Sequence, residues 1–158
     1  MEREFIGGCS EKTRNSVVTR TFVTFDADFA DDAAWDDDSS CVVPGGEAIA
    51  SAIGDALGAH AFPCSRVRQH SFYGWAFDVS VARSQFLCLI QHPGRWLVTC
   101  DRHSTVFRRW FGRGNDDDLA ITVTTLHEVL RADRRFTNVQ WFSREEYEQG
   151  AETGAPTP

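Results

Sequence analysis

Long apolar runs are missing from this sequence. No stretch approaches the roughly 18 residues that a membrane-spanning helix needs, and Met1 to Arg20 lacks the apolar core of a secretory leader. The expectation is a cytoplasmic protein without a membrane partner. Lysine is nearly absent too: Lys12 stands alone among 16 basic residues, the others being arginine. Together with abundant Ala and Gly, this bias points to a GC-rich bacterial coding sequence and carries no information about activity. The five cysteines (Cys9, Cys41, Cys64, Cys88 and Cys100) are odd in number and contain no CxxC pair. Such a set reads as reduced thiols, with Cys88 and Cys100 acting as small buried hydrophobes in strand-like runs. There is no Walker A loop, no GxGxxG after a strand and no nucleophile elbow.

What is present is enough for a core. Of 158 residues, 42% are apolar and 12% aromatic, including five Trp and twelve Phe. That composition excludes disorder over most of the length and fits one domain with one core. The formal charge is −7, from 23 acidic and 16 basic residues, which argues against nucleic acid as a partner. The charge is also uneven. Met1 to Pro63 holds four basic and twelve acidic residues, whereas Cys64 to Pro158 holds twelve basic and eleven acidic. Most of the excess lies between Asp26 and Asp38, with seven Asp in thirteen positions.

Periodicity and turn chemistry divide the chain into a loose arm (1–16), a single α+β domain (17–143) containing an acidic loop (26–46), and a flexible charged tail (144–158). Val17 to Phe25 has the β-branched and aromatic content of a strand. Pro44-Gly45-Gly46 punctuates the acidic stretch, and Glu47 to Ala61 then repeats apolar residues at helical spacing. From Phe72 the period becomes two, with Trp75, Phe77, Val79 and Val81 on one face. Ala82-Arg83-Ser84 and His92-Pro93-Gly94 are turns that join Phe86–Ile90 and Trp96–Cys100 into a meander. Asn115 or Asp116 can cap a second helix, whose stripe is Leu119, Val123, Leu126, Val129 and Leu130. Phe136 to Phe142 is a final strand. The expected architecture is a mainly antiparallel sheet of four to five strands with two main helices packed on one face.

Several chemistries can be weighed against these residues. His60 with Cys64, and Cys100 with His103, have short spacings, but a zinc site needs four converging ligands. His127-Glu128 begins like a zincin helix, yet Arg131 stands where the second His belongs. In an EF-hand register starting at Asp26, Asp31 occupies the glycine position and Asp37 the final one, so a dedicated calcium loop fails. No metal and no cofactor is expected. Cys41, Cys64 or Cys100 with His60, His70 or His103 could form a nucleophile–base pair, but no local signature supports it. The expectation is a protein that is not an enzyme.

Two surfaces remain. The first is the acidic stretch, with Asp26, Asp28, Phe29, Asp31, Asp32, Trp35, Asp36, Asp37 and Asp38 as candidate partner-binding residues. Acidic runs are often solvated loops. As an interaction element, its carboxylates would steer a basic partner and its aromatics would serve as anchors. The second surface interleaves Arg102, Arg108, Arg109 and Arg113 with Phe107, Trp110 and Phe111. It reads as a core-plugging helix, a protein-binding face or an internal counterpart to the Asp loop.

Tyr73-Gly-Trp-Ala-Phe-Asp-Val-Ser-Val81, the meander after it, and the helix followed by Phe136-Thr-Asn-Val-Gln-Trp-Phe142 resemble small acidic bacterial α+β proteins. These include immunity proteins of toxin delivery systems. The resemblance spans Val17 to Phe142 as a pattern of elements and implies a tight, non-covalent inhibitor presenting acidic groups to a basic toxin. A secretion chaperone or adaptor acting as a dimer is the alternative expectation, followed by a Cys/His metal-dependent enzyme.

Overall fold

The computed structural model describes residues 18–71, 74–102 and 116–158. The expected arm and the segment 103–115, with its arginines and aromatics after Arg102, lie outside the described residues, as do Cys9, His103, Asn115 and Tyr73.

The architecture is α+β, built on a six-stranded antiparallel sheet. In chain order the elements are β1 (Phe22–Ala27), β2 (Ala34–Trp35), β3 (Cys41–Val43), α1 (Glu47–Ala59), β4 (Arg68–Gln69), β5 (Trp75–Val81), β6 (Ser84–Gln91), β7 (Trp96–Arg102), α2 (Asp116–Ala132), β8 (Phe136–Phe142) and α3 (Arg144–Glu148). The sheet order is β4-β5-β6-β7-β1-β8, while β2 and β3 form a separate pair. The sheet exceeds the expected four to five strands because β4 adds two residues at one edge, too short to leave a periodic signal. β1 begins at Phe22, later than the β-branched run suggests, and residues 18–21 lie outside it.

Alternation along the strands assigns the two faces. Val23, Phe25, Phe77, Val79, Phe86, Cys88, Ile90, Val98, Cys100 and Trp141 join Ile49, Ile53 and Leu57 of α1 and Val123, Leu126 and Leu130 of α2 in one core. Both main helices therefore cover the same face. The period-two pattern produces this: in β5 the apolar core-facing positions alternate with Ala76, Asp78 and Ser80, and in β6 Phe86, Cys88 and Ile90 face the core while Leu87 and Leu89 between them stay half-exposed. On the opposite face Phe22, Leu97 and Phe142 form a smaller cluster under Tyr147 of α3.

The segment 144–158 departs from its expected looseness. Ser143 caps α3 with a full capping box to Glu146, and Arg20 grips the same Glu146 carboxylate through two hydrogen bonds of 3.1 Å. Beyond the helix, Ala155 exchanges two backbone hydrogen bonds of 2.8 Å with Trp141. Charge and terminal prolines are fraying signals, but here the capping box and the open edge of β8, which needs a partner, override them.

Candidate functional site

The acidic stretch is mostly structure, which its composition hides. Asp26 lies within β1, where Arg95 donates to its Oδ1 at 3.1 Å and Asn138 Nδ2 donates to its Oδ2 at 2.5 Å. Those hydrogen bonds, from Asn138 above all, hold its carboxyl below the usual carboxylate range. The Asp28 backbone N–H donates to the Arg135 carbonyl, tying the chain to the start of β8. Phe29 is half-buried: its ring lies 5.4 Å from that of Phe136, and the Arg135 guanidinium sits 4.2 Å over it. As an anchor it is therefore spent on the protein's own core.

Asp32 supplies a cap. The first residue before α1 is Gly46, which has no side chain to accept the helix's leading N–H groups. Asp32 reaches in from the loop instead, accepting from the N–H groups of Gly46 and Ala48, so its charge also meets the positive end of the helix dipole. Asp31 accepts from Ala33 N at 3.0 Å. Asp36 accepts from the N–H groups of Asp38 and Ser40 and closes the turn between β2 and β3. Asp37 and Asp38 are exposed at that turn.

Trp35 is the exception among the aromatics. It stands on β2 at 62% exposure, and among the described residues β2 pairs with β3 alone, in a sheet separate from the six-stranded one. Below the hairpin is a cavity of about 480 Å³ bounded by Phe29, Asp31, Asp32, Trp35, Cys41 and Trp96. His92 stacks against Trp96 with ring centroids 4.6 Å apart. Gly46 allows the indole of Trp96 to lie against the backbone: its φ is +104°, and a Cβ there would come within 2.6 Å of the ring. Trp75 donates its indole N–H at 2.8 Å to the carbonyl of Pro44, a residue of the cavity wall.

The structure thus brings Phe29, Asp31, Asp32 and Trp35 together and sends Asp26 to the other face of β1, paired with Arg95. Cys41, His92 and Trp96 also line the cavity, and the sequence does not mark them as belonging with residue 35. His92 and Trp96 flank a turn read only for its Pro-Gly signal, and nothing in sequence spacing places that turn beside residue 35.

Of the cysteine and histidine pairs, Cys100 with His103 lies partly outside the described residues. Among the described residues no three His, Cys, Asp or Glu side chains group as metal ligands. Cys88 and Cys100 sit opposite each other on β6 and β7 with sulfurs 3.4 Å apart in the core. Burial, followed by the nearby Asp55 carboxylate, pushes the Cys64 thiol up to about 11, which keeps it protonated and poorly nucleophilic at neutral pH. No helix among the described residues is long and apolar enough to cross a membrane. The chain matches no protein-family model, no curated protein and no solved structure.

Proposed function

We propose that the protein is a non-enzymatic cytoplasmic binding protein that docks a basic protein partner on the β2–β3 hairpin, the partner being a toxin that it neutralises. One observation carries the reading: Trp35, an indole at 62% exposure, stands on a hairpin whose turn presents Asp37 and Asp38. An indole left in water forgoes the burial energy that aromatics supply in cores and interfaces, and Trp is a frequent interface anchor. The flanking carboxylates provide long-range attraction for a positive surface. The working set is narrower than the thirteen-residue stretch. Asp26, Asp32 and Asp36 hold the fold, and Trp35, Asp37 and Asp38 face outward.

The test is a photo-crosslinking residue at position 35 in the native host, followed by association kinetics with the adduct partner. The expected partner is a basic protein whose expression arrests growth unless this chain is co-expressed. The Asp37→Asn/Asp38→Asn variant is expected to associate on the order of tenfold more slowly at low ionic strength, with the gap closing in high salt. An unchanged rate at low salt, or adducts only between copies of this chain, removes the hairpin from the mechanism.

A further inference from the structure

We infer that the cavity beneath the hairpin receives the guanidinium of an arginine carried by the basic partner. This inference rests on the hairpin being the docking element. At about 480 Å³ the cavity falls within the roughly 300–1,000 Å³ of ligand pockets, room for a long side chain and its flanking backbone.

Charge selects a cation. Asp31 and Asp32 line the cavity, and no lysine or arginine does among the described residues. The positive end of α1 opens toward the same place and would oppose a cation, but Asp32 already takes two of its N–H groups. Asp31 is differently placed. Its Oδ1 serves the Ala33 N–H, and its Oδ2 has no hydrogen-bond partner among the described residues.

Shape selects guanidinium over ammonium. Trp35 and Trp96 supply flat aromatic surface, with Trp96 steadied by His92 on one side and by the bare Gly46 on another. A planar guanidinium stacks on an indole while its N–H groups reach a carboxylate, which a strongly hydrated ammonium does less well. The chain already uses this combination twice within itself. Arg135 lies 4.2 Å over Phe29 while paired to Asp133, and Arg144 lies 5.5 Å over Phe22 while paired to Asp101. The cavity offers the aromatic and the carboxylate with the arginine still to come.

The full chain, labelled with nitrogen-15, can be titrated with N-acetyl-arginine amide, its neutral isostere N-acetyl-citrulline amide, and N-acetyl-lysine amide. Trp35→Phe and Trp96→Phe variants assign the two indole N–H signals. Both signals are expected to move with the arginine compound and not with citrulline, while the fully buried Trp141 stays fixed. Asp31→Asn preserves the acceptor for Ala33 and is expected to weaken arginine binding at least fivefold, whereas Asp37→Asn changes it less than twofold. A silent Trp96, equal response to citrulline, binding of lysine as tight as arginine, or an unaffected Asp31→Asn variant overturns the assignment. The two readings fail separately. If position 35 crosslinks to a basic partner and Asp37→Asn/Asp38→Asn slows association while the cavity ignores arginine, the cavity assignment falls and the hairpin stands. If arginine binds but no partner crosslinks, the hairpin falls.

Discussion

Asp32 and Asp37 are the same amino acid in the same acidic stretch, and they do opposite work. Asp32 completes the start of α1, so Asp32→Ala is expected to cost about 0.5–2 kcal/mol, the usual range for a lost N-cap, measured by urea unfolding. Asp37→Ala, at an exposed turn, is expected to stay within about 0.5 kcal/mol of wild type. Composition cannot separate them, because the helix that Asp32 caps begins well after it in the chain and only the folded loop brings them together. Glycine carries a similar lesson. Gly58 lies within α1 with open space where a Cβ would go, so Gly58→Ala is expected to stabilise the protein by about 0.5–1 kcal/mol. Gly46, by contrast, has a positive φ and Trp96 against it, and alanine there would meet both strain and a clash.

Helices and hairpins with a clear hydrophobic period are legible in the sequence. The strand Phe136–Phe142 and the start of α1 at Glu47 fall where periodicity and turn residues put them, because each element's own residues specify it. Elements defined by what they touch were not legible: β4, the β2–β3 hairpin and α3 with its docked extension. One such contact joins α2 and β8 through a titratable side chain. The Trp141 indole N–H donates to His127 Nδ1 at 3.1 Å, which requires that nitrogen to be unprotonated. Burial, and then the neighbouring Arg131 charge, lower His127 below the ordinary imidazole value of 6.5. As pH falls, the unfolded chain therefore takes up this proton first, and stability declines below about pH 6.5 until the folded value is passed. Asp26, Asp133 and Glu146 are held low by their hydrogen-bonded partners. Their stabilisation is complete above the ordinary carboxylate values and is lost as pH falls through the lowered ones. Unfolding free energies from pH 8 to 3 should show two declines. His127→Asn, which keeps an acceptor near Nδ1, should erase only the first.

For the whole molecule, the net charge of −7 describes solubility better than it describes a site, since much of the acidic excess is used internally. The candidate site is assembled from a hairpin, the start of a helix and a turn between two strands of the meander. Trp35 and the aspartates of the hairpin's turn stand out in the sequence, whereas Cys41 on β3 and the residues of the turn between β6 and β7 do not stand out as parts of one site. The outer sheet face completes the picture: Tyr147 covers Phe22 and Phe142, and Tyr147→Ala is expected to raise binding of a hydrophobic dye while leaving the core signal of Trp141 in place. The sheet order has a consequence in time as well as space. β5, β6 and β7 are neighbours in sequence and in the sheet, so their hairpins close small loops and can form early. β1 sits between β7 and β8, with Phe22 opposite Thr99 on one side and Phe142 on the other. β1 thus waits with both edges unpaired until β7 has been made, and with one edge unpaired until β8 follows. During synthesis this acidic protein carries an orphan strand, and the aspartates that follow it in sequence are the charges best placed to keep that strand from pairing with a neighbour's.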